Sequence, residues 1–344
     1  MSKIINSIDI SFIIPFYNGK KYIKECVESI CNQIVECVNF EIIIINDCST
    51  DDSIDTLKII EKQYNNIVII NHNSNKKQGG ARNTGIQNAK GKYIWFIDQD
   101  DYIKKDSINK LLNLAEDNRL EILQFCFDEV NEKGIFIRSH FFGNFPTIIT
   151  GIDYIQDMGL NSHPYTIWSR LYKREFIVEN NFLFPENRVI FEDYAFAIDS
   201  MLKAERVKII SDSEYCYRIN DLSTMQKSYL NFKAIYSYHT CISCGIELID
   251  ISKKHTNNPK VSKQLLYGGI WRINQFTKGL LKSEIIETNN FFELIQQNIN
   301  QIEYYKSYFN PVNRFIVEHP IISRLLVIFI KPILKLIGIL KCKK

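Results

Sequence analysis

Short apolar runs alternate with segments of helical period over the first 127 residues, and this alternation limits the fold more than any other feature of the sequence. The first run, residues 9–14, is followed by apolar side chains at helical spacing between residues 22 and 34. Further apolar runs occupy 40–45, 67–71, 92–97 and 121–127, and the helical patterns between them begin near 51 and cover 80–89 and 106–118. Continuous apolar strands separated by helices are typical of a doubly wound, mostly parallel sheet that is covered on both faces. We therefore predict an α/β fold of this class.

Three loops that follow the predicted strands are unusually polar. They are residues 15–18 (PFYN), 46–52 (NDCSTDD) and 98–101 (DQDD). Sheets of this class bind ligands beyond the carboxyl ends of their strands, so we expect the three loops to face one crevice. Each loop taken alone is also explained as a capped helix start, because Asn, Asp, Ser and Thr are favoured N-caps.

The third loop resists that simpler explanation because it carries three carboxylates within four residues. Carboxylates this close repel one another unless a cation neutralises them. Oxygen ligands of this kind suit Mg²⁺ or Mn²⁺, with the phosphates of a substrate supplying further oxygens. We therefore predict a site for a divalent cation, Mn²⁺ or Mg²⁺, and a diphosphate.

A glycine-rich segment, residues 79–85 (GGARNTG), begins the helix between the third and fourth strands. Its glycines allow close backbone approach, and Arg82 is able to reach a phosphate or a carboxylate with a fork of donors. The segment is not the dinucleotide fingerprint, which needs G-x-G-x-x-G directly after a strand. This argues against a nicotinamide dehydrogenase.

The four segments FIIPFYN, INDCSTDDS, GGARNTGI and FIDQDD, in this order, resemble the family 2 glycosyltransferases with the glycosyltransferase A fold over roughly the first 220 residues. The resemblance implies that the first two loops hold the base and ribose of a UDP- or other nucleotide-sugar. It implies that Asp47 contacts the nucleobase, that Asp98 binds the ribose side and the cation, and that Asp100 is the main cation ligand. Cys48 stands where the family commonly has Gly.

A second acidic motif begins the helix predicted after residue 191, where Glu192 and Asp193 lie beside aromatic residues. As structure alone, they are first-turn acids that complement the helix dipole. Transfer of a sugar with inversion needs a base that takes the proton of the attacking hydroxyl, and a carboxylate can supply that step. The family has an E-D pair here, so the resemblance implies that Asp193 is the base and that Glu192 orients it or the acceptor.

Two further segments resemble parts of the family. Residues 215–223 are similar to a strand and loop that close over the diphosphate, where Arg218 is suited to stabilise charge on the departing group; a surface arginine is the alternative. His163, Trp168 and Arg170 fit the acceptor-side segment, with Arg170 replacing a common Lys. The complete donor-binding set that the resemblance implies is Pro15, Tyr17, Asn18, Asp47, Arg82, Asn83, Asp98, Arg218 and Ser223.

The C-terminal third is predicted to be helical, and only its end suggests a partner. In residues 321–340, Arg324, Lys331 and Lys335 interrupt an apolar stretch on one helical face, so no run approaches the ~20 residues of a membrane span. Such a basic amphipathic tail is suited to lie on an anionic membrane surface, while packing on the protein's own core is the alternative.

Composition narrows the function classes. A formal charge of +3 on 344 residues lacks the basic footprint of a nucleic-acid binder. Nine cysteines, an odd number, and the lack of an N-terminal secretory signal indicate a reducing cytosol, and the lone Cys241/Cys244 pair is interpreted as packing. We expect a cytoplasmic protein that is peripheral on the inner face of the cell membrane.

The sequence therefore predicts a nucleotide-binding catalytic domain at 1–225, with a donor half at 1–128 and an acceptor half at 129–225, then a helical region at 226–318 and a tail at 319–344. The expected function is inverting transfer of a sugar from a UDP-linked donor to a glycan or lipid-linked acceptor of a surface polysaccharide. A sugar nucleotidyltransferase is one alternative, although it would need a Gly-rich basic loop directly after the first strand, and this sequence lacks one there. A degenerate assembly scaffold is the other; the intact acidic motifs weigh against it.

Overall fold

The computed structural model describes residues 7–35, 38–143, 145–159, 165–186, 188, 191–220, 235–273, 311 and 314–315. The chain divides into two compact units, residues 1–188 with 192–220, and residues 189–191 with 221–344. The first unit contains a mixed sheet with flanking helices, and the described part of the second is mainly helical. The predicted tail at 319–344 lies outside the described residues.

The elements follow the chain as alternating strands and helices through residue 130 and irregularly afterwards. The strands are β1 Ile10–Phe16, β2 Phe40–Asn46, β3 Ile67–Asn71, β4 Tyr93–Phe96, β5 Tyr102–Ile103, β6 Ile122–Val130, β7 Phe136–His140, β8 Phe145–Ile149, β9 Arg170–Lys173 and β10 Val207–Arg218. The helices are α1 Ile23–Cys31, α2 Ser53–Gln63, α3 Lys77–Asn88, α4 Ser107–Asp117, α5 Gly151–Met158, α6 Arg174–Glu179, α7 Glu192–Lys203, α8 Ile235–Lys254 and α9 Pro259–Ile273. The strands and helices predicted up to residue 127 are confirmed.

The sheet has the order β3-β2-β1-β4-β9-β6-β10-β5, with β7 beside β6 and β8 beside β10. The first four strands are parallel, as predicted. Beyond them β9 is antiparallel to both β4 and β6, so β6 and its parallel neighbour β10 run in the direction of β1. The antiparallel strands were not predicted, because short strands that pair with distant segments of the chain leave no periodic signal in the sequence.

The centre of the sheet is buried because its strands carry apolar residues on both faces. All seven residues of β1 are buried, and Trp95 of β4 packs against the rings of Phe12 and Phe125. Helix α1 buries Ile23 and Val27 from one stripe at helical spacing. Each fully buried side chain of this size stabilises the fold by about 1.5–3 kcal/mol.

Parallel strands bring the polar loops to one edge. Phe16 at the end of β1 lies opposite Asn46 at the end of β2, and β4 ends beside β1 immediately before the loop at 98–101. The residues that follow these strands therefore emerge at the same edge of the sheet, as the strand pattern predicted.

The second unit contributes the antiparallel pair α8 and α9, which share a core that includes Leu248, Ile249 and Leu265. Cys244 is a buried cysteine in this pair. Within the part of the chain that the structure describes, no helix combines the length and hydropathy that a membrane crossing requires.

One glycine of the GGARNTG segment sets how closely α3 approaches the sheet. A Cβ built on Gly85 would lie 2.3 Å from Cγ2 of Ile13 in β1. We predict that Gly85→Ala lowers the free energy of unfolding by about 1–3 kcal/mol, the usual cost of overpacking a core. Urea denaturation of Gly85→Ala in the wild-type and Ile13→Ala backgrounds measures this, because removing Cγ2 should relieve the clash. An equal loss in both backgrounds would contradict the packing explanation.

Candidate active site

Side chains of the three polar loops hold one another at the edge of the sheet. The Nδ2 of Asn18 donates to Oγ1 of Thr50 at 3.2 Å, and the backbone N–H of Thr50 donates to Oδ1 of Asn18 at 2.9 Å. The side-chain amide of Gln99 accepts from the N–H of Tyr17 at 2.9 Å and donates to its carbonyl at 3.1 Å. The predicted convergence of these loops is therefore observed. Tyr17 is 44% exposed, whereas Pro15 is buried within β1.

Asp47 lies at the end of β2 and is almost fully buried. Its Oδ1 accepts from the backbone N–H of Lys76 at 2.8 Å and lies 2.7 Å from Nδ1 of His72. The next residue, Cys48, has a φ of 64°. This left-handed conformation favours glycine and costs a residue with a Cβ roughly 1–2 kcal/mol, which explains why Gly is common in the motif that Cys48 interrupts.

Arg82 joins two acidic motifs that lie far apart in the sequence. Its Nη1 donates to Oε1 of Glu192 at 2.6 Å, and its Nη2 donates to Oδ1 of Asp98 at 2.8 Å. The guanidinium is 2% exposed. Burial lowers the pKa of Arg82, but the charges of Asp98, Glu192 and Asp193 outweigh it and raise the pKa above the ordinary value. Arg82 therefore pairs with carboxylates, one of the two roles predicted for it.

The three carboxylates of the DQDD loop have different partners. Asp98 pairs with Arg82, and Asp100 accepts at Oδ2 from Nδ2 of Asn220 at 2.8 Å. Asp101 is 2% exposed and accepts from the hydroxyl of Tyr215 at 2.8 Å. Burial, together with the negative charge of Asp98, raises the pKa of Asp100. Burial and the charges of Asp100 and Asp98 raise the pKa of Asp101 well above its ordinary value.

Arg218, at the end of β10, binds the loop at residues 98–101. Its backbone N–H donates to Oδ1 of Asp101 at 2.7 Å, and its Nε donates to the carbonyl of Asp100 at 2.9 Å. Its other guanidinium nitrogens donate to the carbonyl of Glu132 and to Oε2 of Glu25 at 2.9 and 2.7 Å. At 2% exposure, the guanidinium supports the acidic loop in this conformation. Contact with a diphosphate would require it to leave these partners.

Asp98 and Asp100 fit a divalent cation that also binds a diphosphate. One carboxylate oxygen of each is engaged by Arg82 or Asn220, which leaves Oδ2 of Asp98 and Oδ1 of Asp100 as potential ligands. Among the described residues, no group of three or more His, Cys, Asp or Glu side chains is placed to hold a metal ion. Two carboxylates with phosphate oxygens are the usual ligand set of Mg²⁺, which seldom has an all-protein site. A cation would also neutralise the repulsion that raises the pKa of Asp100.

Asp193 lies in the first turn of α7, beside the Arg82 bridge. Burial raises the pKa of Asp193 to about 7; the charges of Glu192 and Asp98 add to this rise, while Arg82 opposes it. A carboxylate with this pKa is partly deprotonated at neutral pH and has a higher proton affinity than an ordinary aspartate. These are the properties required of a general base.

The remaining predicted residues lie behind the site or outside the described part of the chain. Asn83 bonds the backbone N–H and carbonyl of Phe184 at 2.8 and 2.9 Å. Trp168 is 6% exposed and stacks on Tyr215 with ring centroids 4.6 Å apart. Arg170 is 0% exposed, and its guanidinium contacts Gln124, Tyr172 and the carbonyl of Ala197. His163 and Ser223 lie outside the described residues.

Several residues at this edge of the sheet were missed from the sequence. Glu25 binds Arg218 from α1, and Tyr215 donates to Asp101 from β10. His72 meets Asp47 from the end of β3. A histidine one residue after an apolar strand was a possible signal for His72, whereas Glu25 looks like any first-turn acid of a helix.

Comparison with known proteins identifies the family. Residues 11–181 match the family described as glycosyl transferase family 2. This chain carries a family 2 glycosyltransferase domain. The resemblance of its four motifs is thereby confirmed.

Relatives of this glycosyltransferase domain occur in several bacteria. The chain is 31% identical over 247 residues to poly(ribitol-phosphate) beta-glucosyltransferase of Bacillus spizizenii, covering 71% of this chain and 38% of that protein. It is 31% identical over 225 residues to the uncharacterized glycosyltransferase EpsJ of Bacillus subtilis, covering 64% of each. The chain spans about two fifths of the length of the poly(ribitol-phosphate) glycosyltransferases that it matches.

The fold of this chain matches that of a solved protein. Residues 1–349 of S. aureus TarS, crystallised with UDP-GlcNAc, superpose with a TM-score of 0.63 at 22% identity, covering 96% of this chain and 92% of that one. The glycosyltransferase A fold of this chain is therefore confirmed, and so is the helical C-terminal region over the helices that the structure describes, α8 and α9.

The paired contacts of Arg82 predict a large loss of stability when the guanidinium is removed. Arg82→Met leaves Asp98 and Glu192 without their shared cation, and unpairing a buried charge typically costs about 3–5 kcal/mol. Urea denaturation measures this. The matched control is Lys92→Met, which breaks the exposed Lys92–Glu116 pair and should cost less than about 1 kcal/mol. Similar losses in the two variants would show that the Arg82 bridge does not organise the site.

Proposed function

We propose that this chain is an inverting glycosyltransferase that moves a sugar from a UDP-linked donor to a hydroxyl group of a cell-surface glycan. The observation that carries the proposal is the position of Asp193. A carboxylate with a pKa of about 7 lies next to the buried Arg82–Glu192 pair, and the same arginine binds Asp98 of the acidic loop. A group suited to accept a proton thus lies beside the loop suited to bind a donor.

The donor side is built from the loops that follow β1, β2 and β4. We assign Asp47 to the nucleobase, Asp98 to the ribose side, and Pro15, Tyr17 and Asn18 to the wall of the nucleotide pocket. The exposed ring of Tyr17 is available to contact a base or ribose. A uridine nucleotide is supported by the crystals of TarS with UDP and with UDP-GlcNAc. Arg82 and Asn83 act indirectly, through Asp98 and the backbone of Phe184.

We propose that a divalent cation, Mn²⁺ or Mg²⁺, binds at Asp98 and Asp100 together with the donor diphosphate. When bound, it supplies positive charge at the oxygens where negative charge accumulates as the nucleotide departs. Asn220 fixes the carboxylate of Asp100, and Arg218 fixes its carbonyl. We therefore assign Arg218 to positioning the acidic loop. A direct role at the diphosphate for it or Ser223 stays a prediction.

Asp193 is the proposed base. As the acceptor oxygen bonds to the anomeric carbon, the bond from that carbon to the diphosphate oxygen breaks and its electron pair leaves with UDP. Asp193 takes the hydroxyl proton, and attack on the face opposite the leaving group inverts the anomeric configuration. Glu192 binds Arg82 and thereby fixes the first turn of α7, so it orients Asp193 without touching the proton.

The acceptor is proposed from the relatives and the sequence. Two matched relatives are named for poly(ribitol-phosphate), so we propose a surface glycan or polyol-phosphate chain, either free or lipid-linked. We place the acceptor half at 129–225, where buried Trp168 and Arg170 support the site from behind and His163 stays a prediction. The basic tail at 319–344 is proposed to hold this enzyme on the cytoplasmic face of the membrane, although it lies outside the described residues.

The assignment of Asp193 as the base predicts that its removal lowers turnover without weakening donor binding. Asp193→Asn keeps the shape of the side chain but removes the proton acceptor, so turnover should fall by about 10²–10⁴. Asp47→Asn should show the opposite pattern, with weaker donor binding and a smaller loss at saturation. Steady-state transfer with a panel of UDP-sugars, together with calorimetric titration of the active donor, measures both. Retention of more than about a tenth of wild-type turnover in Asp193→Asn would remove it as the base and favour Glu192.

The assignment of the cation to Asp98 and Asp100 predicts that turnover depends on the carboxylate of Asp100. Asp100→Asn should lower turnover by about 10² or more, because several kcal/mol of charge stabilisation is lost from the departing diphosphate. The rate is measured against Mn²⁺ and Mg²⁺ concentration. Asp106→Asn is the matched control, since Asp106 is exposed and has a left-handed backbone that Asn tolerates. Wild-type activity of Asp100→Asn in the presence of a chelator would show that Asp100 holds no cation.

A further inference from the structure

His72 connects the proposed nucleobase contact to the glycine-rich helix. It follows β3, and its side chain is 7% exposed beside the 5% exposed side chain of Asp47. Its Nδ1 lies 2.7 Å from Oδ1 of Asp47, and its Nε2 lies 2.8 Å from Oγ1 of Thr84 in α3. Both nitrogens of a buried imidazole are therefore engaged, one by the donor loop and one by the GGARNTG segment.

Hydrogen-bond accounting assigns the direction of the contact with Asp47. A carboxylate oxygen accepts, so Nδ1 of His72 donates to Oδ1 of Asp47. On the other side of the ring, Nε2 meets the hydroxyl of Thr84, which is able to donate or accept and also lies 3.1 Å from the carbonyl of Gly80. The imidazole is therefore held at both nitrogens, and it holds Oδ1 of Asp47 in turn.

This arrangement fixes what Asp47 can offer to a ligand. His72 and the backbone N–H of Lys76 both use Oδ1, which leaves Oδ2 as the acceptor for a nucleobase. A carboxylate oxygen in this position has no hydrogen to donate. Uracil presents a ring N–H that such an oxygen can bind, whereas the corresponding nitrogen of cytosine is an acceptor and would face the carboxylate without a hydrogen.

We propose that His72 is a positioning residue that holds the carboxylate of Asp47 in one orientation, so that the donor site selects uracil over cytosine. The inference rests on the proposed UDP-sugar function and adds the group that sets its base specificity. His72 acts through Asp47 and has no contact with the reacting atoms. Its loss should therefore change nucleotide binding and selectivity while leaving the chemical step nearly intact.

Calorimetric titration of UDP and CDP into the full chain tests this proposal. Wild type should bind UDP at least about tenfold more tightly than CDP, since binding of CDP would leave two buried acceptors facing each other without a hydrogen. His72→Ala should weaken UDP binding by about 10- to 100-fold and CDP binding much less, so that the selectivity collapses. Turnover at saturating UDP-sugar should stay within about threefold of wild type, because Asp193 and the cation site are untouched.

Rescue variants separate positioning from packing. His72→Asn places an amide donor near the position of Nδ1 and should restore most of the UDP preference. Thr84→Val keeps the β-branched shape but removes the partner of Nε2, so it should lose part of the preference that Thr84→Ser retains. These variants also test the proposal if His72→Ala fails to fold.

His140→Ala is the matched control, because His140 is also paired with a carboxylate, at 2.7 Å from Glu129, on a different part of the sheet. It should leave the UDP-to-CDP ratio unchanged. Equal weakening of UDP and CDP in His72→Ala, or a lower melting temperature with an unchanged ratio, would overturn the inference while leaving the transferase intact. Failure of the wild type to bind UDP would overturn the proposed donor, and the inference with it.

Discussion

The buried guanidinium of Arg82 is the interaction on which the rest of the site depends. A charge that is 2% exposed is tolerated only when it is paired, and here two carboxylates from distant motifs supply the pairing. Asp98 belongs to the loop after β4, and Glu192 begins α7. Satisfying one arginine therefore fixes the acidic loop against the helix that carries Asp193. The contacts that compensate for burying Arg82 are therefore the same contacts that bring the proposed donor site beside the proposed base.

A second network keeps the acidic loop rigid from the other side. Asp101 takes hydrogen bonds from the hydroxyl of Tyr215 and the backbone of Arg218, and the guanidinium of Arg218 binds the carbonyl of Asp100. The three neighbouring carboxylates thus have separate roles. Asp98 and Asp100 each keep a carboxylate oxygen for the proposed cation, while Asp101 anchors the loop to β10. Burial and the mutual repulsion of these carboxylates raise the pKa of Asp100 and Asp101, and the surrounding sheet holds them in place.

The sequence predicted those features that depend on local pattern. The apolar periods located the strands and helices of the first 127 residues. They also located the edge of the sheet where the loops converge, because the carboxyl ends of parallel strands share one side of a sheet. It did not predict the insertion of β9 between β4 and β6, since pairing between distant short strands leaves no periodic signal. The sequence also did not show which distant side chains contact one another. Only the folded chain brings together the segments that pair Arg82 with Glu192, stack Trp168 on its neighbour and give His72 its proposed role.

The electrostatic coupling of Glu192 to Asp193 is tested most directly by the pH dependence of kcat/KM for the acceptor, in wild type and in Glu192→Gln at fixed cation concentration. The proposed base acts when deprotonated, so the rate should rise with pH, with its midpoint near pH 7, the raised pKa of Asp193, and level off above that pH. Glu192→Gln removes a neighbouring negative charge and frees Arg82 to favour the carboxylate. Its midpoint should therefore lie clearly below that of wild type. A wild-type midpoint near 4, or a midpoint that Glu192→Gln leaves unchanged, would contradict the account.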